Sequence, residues 1–142
     1  MLELTGWLFK GGTVHGSINL PAQSLYPTIP SLYTLFSAAG VSNVIWYCGE
    51  SPNQYLIYVL TAHPSSKSFI QTVILALSQA NTYKGSSMGR GSRAAGWFAD
   101  YIKEQNDTRM ESRVLEGGIK GWASSGDEYV TLMDDYDAAA WK

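Results

Sequence analysis

Apolar residues recur at two different periods along the chain, and the switches between those periods mark its elements. "VSNVIWYC", Val41 to Cys48, is short, apolar and aromatic, the pattern of a buried strand. Ahead of it, "TIPSLYTLFSAAG", Thr28 to Gly40, places Leu32, Leu35 and Phe36 on one helical face. Pro30 suits its first turn and Gly40 its C-terminal cap. "RGSRAAGWFADYIKEQND", Arg90 to Asp107, spaces Ala94, Ala95, Phe98, Tyr101 and Ile102 at helical intervals, and Asn106-Asp107 ends the run. "GGTVHGSINLPAQ", Gly11 to Gln23, reads as a turn, a short β piece and a proline stop. "SRVLEGGIKGW", Ser112 to Trp122, reads as a short strand and a glycine-rich turn. Residues 52 to 84 are ambiguous: "QYLIYVLTA" suits a strand, and "SSKSFIQTVILALSQA" suits a helix with a serine cap. The tail "DEYVTLMDDYDAAAWK" suits a surface helix. The alternation of helix and strand predicts an α/β domain with a parallel sheet flanked by helices.

Composition narrows the class without choosing a function. A chain of 142 residues fits one domain, long enough to bury a real core. A net charge of -2 offers no argument for nucleic acid or for an acidic substrate. One cysteine excludes an internal disulfide and a multi-cysteine metal site. The start "MLELTGWLFKGG" lacks a basic region and a long apolar run, so no secretory signal is expected. The longest apolar runs fall well short of the roughly 20 residues that cross a bilayer. The expectation is a soluble intracellular protein with no membrane partner and no cofactor. A cytoplasmic setting is expected, with the nucleus left open and the oligomeric state undetermined.

The cysteine is the candidate for chemistry. A strand ending at Cys48, a Gly/Ser loop and an Arg at a helix start have a physical logic together. Loop N–H groups converge on one point, and the helix N-terminus adds positive potential. Such a field favours a reactive thiolate, and an Arg grips two oxygens of an oxyanion. Taken alone, Cys48 reads first as a buried structural thiol. "GSSMGRGSR", Gly85 to Arg93, reads alone as a surface loop. The carboxylates Asp100, Asp134, Asp135 and Asp137 single out no general acid.

In order along the chain, "GGTVHGSINLP", "VIWYC", "GRGSRAAGWFADY" and "VLEGGIKGW" resemble the rhodanese superfamily. His15 to Pro21 are similar to its His-x-Gly-Ser/Ala-Ile-Asn-x-Pro motif, with one residue fewer between His and Gly, Cys48 matches its catalytic position, and Gly117 to Trp122 its Gly-Gly-x-x-x-Trp motif. The resemblance covers roughly three quarters of the chain. It implies a rhodanese-like fold, a cysteine nucleophile and a structural role for His15. Two departures stand out. The family's opening strand and Asp-x-Arg strand are not recognisable in "MLELTGWLFK", so the N-terminal strands look missing or replaced. The active loop is also interrupted.

Joining Cys48 to Gly85 rebuilds Cys-Gly-Ser-Ser-Met-Gly-Arg, ending at Arg90. This Cys-(x)5-Arg form resembles dual-specificity cell-cycle phosphatases and fungal arsenate reductases; a loop one residue shorter marks the sulfurtransferases. The resemblance implies Cys48 and Arg90 as catalytic residues, with Gly85, Ser86, Ser87, Met88 and Gly89 binding the substrate. That substrate would be a small oxyanion or a phosphoprotein. Residues 49–84 are expected to be a retained intron read through in frame. Gly49-Glu50-Ser51 can be encoded with GTGAGT, Ala80-Asn81 with a branch-site core, and Lys84-Gly85 with an AG end. A real inserted lid is the alternative. With 41 residues between Cys48 and Arg90, the chain is expected to be impaired unless the insert leaves and returns at nearly the same point. A sulfurtransferase working through a persulfide and a non-catalytic binding module are the competing functions.

Overall fold

The computed structural model describes residues 13–48, 56–65, 78–80, 90–115, 118–124, 126–134 and 136. Its elements run β1 (Thr13–Val14), β2 (Ile18–Pro21), α1 (Leu25–Ala38), β3 (Asn43–Tyr47), β4 (Leu56–Ala62) and β5 (Ser78–Ala80). They continue with α2 (Arg90–Glu104), β6 (Glu111–Leu115), α3 (Gly118–Ala123), α4 (Asp127–Val130) and β7 (Met133–Asp134).

The last four residues of β3 are all buried, as a short apolar run requires when both faces of a sheet are covered. β3 lies at the centre of a five-stranded sheet of order β2-β4-β3-β6-β5. On one face, α1 and α2 cover Val44, Trp46, Ile57 and Val59, with Phe98 of α2 5.5 Å from the Trp46 ring. On the other, α3 and the small β1-β7 ladder cover Ile45, Tyr47, Tyr58 and Leu60. Trp122 of α3 is 1% exposed there, and its indole N–H donates to the Tyr129 carbonyl at 2.8 Å.

The mixed α/β class is as the sequence predicts, but the sheet is not parallel throughout. Among the described residues only β3 and β6 pair in parallel; β4 is antiparallel to both β2 and β3, and β5 is antiparallel to β6. The helix expected over Ser65 to Ala80 has its last three residues in β5; residues 66–77 lie outside the described set. Residues 127–134 of the expected tail helix form a short helix, α4, followed by β7, with Met133 drawn into the second core cluster; residues 135 and 137–142 lie outside the described residues.

Helix α1 begins three residues earlier than its sequence suggests. Pro27 is its third residue, where a missing N–H costs nothing. Pro30 therefore falls in the second turn and leaves the carbonyl of exposed Tyr26 to water. Gly40 caps the helix as expected: at φ 75°, its N–H reaches the Ser37 carbonyl at 3.1 Å and that of Val41 reaches Phe36 at 3.0 Å. Asn106, at φ 55°, closes α2 in the same way, with Asp107 N–H on the Ile102 carbonyl at 3.2 Å.

Candidate active site

The two parallel strands β3 and β6 end on the same side of the sheet, and α2 and α3 both begin there. The carboxyl end of a parallel pair is where α/β folds open a crevice. Cys48 is the first residue beyond β3 and is a half-buried free thiol. Arg90 opens α2, the position expected for it, and is partly exposed.

Gly91 is the residue that lets the start of α2 approach the end of β3. A methyl group there would lie 3.0 Å from Tyr47 Cα, 3.2 Å from the Tyr47 carbonyl carbon and 3.3 Å from the Cys48 nitrogen. The first turn of α2 is thus pressed against the backbone that presents the thiol. On another side, a methyl on Gly118, the first residue of α3, would lie 3.7 Å from the Cys48 carbonyl oxygen. Gly91 thus stands beside Cys48 although 42 residues of chain lie between them; the point at which residues 49–84 would rejoin the loop lies outside the described residues. First-turn N–H groups of α2 have no acceptor within their own helix, and Arg90 adds a full charge to that positive end.

Tyr58 on β4 also belongs to this corner, and the sequence pattern did not single it out. It pairs directly with Tyr47 across β3 and β4, and the two rings stack with centroids 5.2 Å apart. Burial pushes its phenol pKa up, and the Arg90 guanidinium pulls it back down. Its place depends on strand register, which a local pattern does not encode.

The support beneath Cys48 is a closed polar network. Val14 N–H donates to the Tyr47 hydroxyl at 3.2 Å; that hydroxyl bonds Ser17 Oγ, which donates to the Val14 carbonyl at 2.6 Å. Burial drives the Tyr47 phenol far above its ordinary pKa. Gly16, at φ 86°, makes the turn that returns Ser17 to this network. His15 stands at the surface and pairs with Asp134 at 2.9 Å. Asp100 sits on the outer surface of α2, three turns from Arg90.

Gly85, Ser86, Ser87, Met88 and Gly89 lie outside the described residues, as do Gly117, Asp135 and Asp137. Among the described residues, no group of three His, Cys, Asp or Glu side chains is placed to hold a metal. Nor is any helix among them long and apolar enough to cross a membrane. No family model, no curated protein and no solved structure matches the chain.

Proposed function

We propose that the chain is a rhodanese-like domain of the Cys-(x)5-Arg type, acting on a tetrahedral oxyanion through Cys48. One observation carries this reading: the half-buried thiol sits where the N-terminus of α2, with Arg90 at its head, abuts the end of β3. A thiolate at Cys48 attacks phosphorus and expels the alkoxide or phenoxide; water then releases phosphate from the phosphocysteine. Arg90 and the first N–H groups of α2 hold the equatorial oxygens as charge builds on them. Residues 85–89 complete the donor set in this reading. Because residues 49–84 separate them from Cys48 in the chain, the donors of this reading would come from two segments and the rate would be low. Losing preorganised donors of this kind typically costs about 100-fold or more.

Residues 49–84 are proposed to be intron-encoded. A transcript that lacks them would join Cys48 to a single glycine codon and read directly into Ser86. Sequencing cDNA across the Tyr47 to Arg90 junction tests this, and a message carrying only the full-length junction defeats it.

Activity is tested separately on both forms. Each is assayed for hydrolysis of para-nitrophenyl phosphate, for thiol-dependent arsenate reduction, and for transfer of sulfur from thiosulfate to cyanide, alongside Cys48→Ser and Arg90→Ala. Phosphatase or arsenate reductase turnover abolished by Cys48→Ser supports the proposal. Thiocyanate formation alone would instead establish a persulfide sulfurtransferase. A Cys48 thiol of the full chain that reacts no faster than free cysteine, with no turnover, would leave a binding module.

A further inference from the structure

Helices α1 and α2 pack side by side and leave an open groove of about 520 Å³ on the outer surface. Tyr26 and Pro30 of α1 line one side, and Trp97, Asp100, Tyr101 and Glu104 of α2 the other. Trp97 and Tyr101 are one turn apart, and Tyr26 meets Trp97 edge to face at 5.2 Å. Asp100 and Glu104 form a parallel row, also one turn apart. They are exposed, and among the described residues neither forms an ion pair.

The charge on α2 runs against its dipole. Arg90 and Arg93 occupy its first turn, where the helix end is already positive. Asp100 and Glu104 fall in its C-terminal half, Glu104 being the last residue, where the end is already negative. Carboxylates four residues apart also repel each other. Lys103 is the one basic residue in the last turn. By itself this placement is unfavourable; a cation held on the carboxylates reverses its sign. An aromatic row beside an acidic row is what a flat cation needs, a π face to stack on and acceptors for its N–H groups.

We propose that the groove binds an arginine side chain of a partner peptide, its guanidinium stacked on Trp97 or Tyr101 and donating to Asp100 and Glu104. The two carboxylates repel an anionic partner and go uncompensated beneath an apolar one. The groove is open to solvent, so it suits a side chain presented on a segment rather than an enclosed small molecule. Neither Cys48 nor Arg90 takes part, so this proposal stands apart from the chemistry proposed above.

The test titrates the 15N-labelled full chain with acetyl-Gly-Arg-Gly-Arg-Gly-amide and with the same peptide carrying glutamine for arginine. Saturable shifts at the Trp97 indole and the Tyr101 amide are expected with the arginine peptide only, weakening as salt is added. Asp100→Asn with Glu104→Gln, both surface changes, should lower affinity roughly tenfold. Equal binding of the glutamine peptide, or an affinity unchanged in the double variant, overturns the proposal. So does a sedimentation result in which a second copy of the chain covers the groove and the double variant releases it.

Discussion

Replacing Gly91 with alanine tests the contact on which the candidate site rests. The added methyl would sit 3.0, 3.2 and 3.3 Å from three backbone atoms of Tyr47 and Cys48. Ordinary contacts between carbon atoms are about 3.5–4.0 Å, so something must move by several tenths of an ångström. Tyr47 cannot retreat easily: it is 1% exposed, stacked on Tyr58 and bonded through its hydroxyl to Val14 and Ser17. Helix α2 is held equally firmly by Ala94, Ala95 and Phe98, each 0% exposed. Overpacking at such a place costs about 1–3 kcal/mol. Alanine regains at most about 1 kcal/mol from its helix propensity, and less in the first turn. The net expectation is a loss of about 1–2 kcal/mol. With a urea slope of about 1–3 kcal/mol per M, the unfolding midpoint should fall by roughly 1 M. The alkylation rate of Cys48 should change in the same variant. Gly16→Ala is the control: there the methyl meets nothing within 4 Å, and the cost, about 1 kcal/mol, comes from the positive φ alone. A Gly91→Ala protein as stable as the parent, with unchanged thiol reactivity, would refute the close approach of α2 to Cys48.

Tyr47→Phe should cost about 1–3 kcal/mol in denaturant titration, because the buried Val14 N–H loses the hydroxyl it donates to. Asp107 should shape the acid limb of stability. The Tyr33 hydroxyl donates to it at 2.7 Å, and the Arg109 and Met110 N–H groups add to that, so its pKa lies below the ordinary carboxylate range. The unfolded chain therefore takes up this proton first as pH falls. The contribution of Asp107 is complete above about pH 4 and drains away below it, so thermal melts of Asp107→Asn should depend less on pH there than those of the parent. Deleting residues 49–84 from the chain as it stands should abolish cooperative unfolding by circular dichroism, because β4 is removed from between β2 and β3. A deletion product with an undiminished, sharp transition would overturn that expectation.

Local signals made much of the frame legible. Gly40 and Asn106 mark helix ends through their backbone freedom, and Trp122 anchors α3 in the core. Cys48 and Arg90 fall at the strand end and helix start assigned to them. The direction of β4 was not legible. Its described side chains are buried from Ile57 to Leu60 on both faces of the sheet, so it reads as an unbroken apolar run. That run looks the same in a parallel and an antiparallel strand. The stacking of Tyr58 on Tyr47 follows from register across two strands and has no local signature.

The segment after Cys48 supplies a central strand of the sheet, β4. β2 and β3 are both antiparallel to β4 and hence parallel to each other. With β4 between them they stand two strand spacings apart, about 9.6 Å, too far to bond directly. A product without residues 49–84 must fill the slot left by β4 or close it. Closing it requires β2 to move one spacing, about 4.8 Å, and α1 to follow, since Leu25, Ile29 and Phe36 pack in the same cluster as Trp46 and Phe98. Filling it requires a strand from outside residues 49–84. Under the proposed function, an unbroken loop from Cys48 to Arg90 and a complete sheet are therefore coupled demands. The shorter product regains an unbroken loop only at the expense of a central strand. If the proposed function holds, activity of the shorter product should appear only in proteins that bring another strand to β3, and in the bare deletion the rebuilt loop should stay silent.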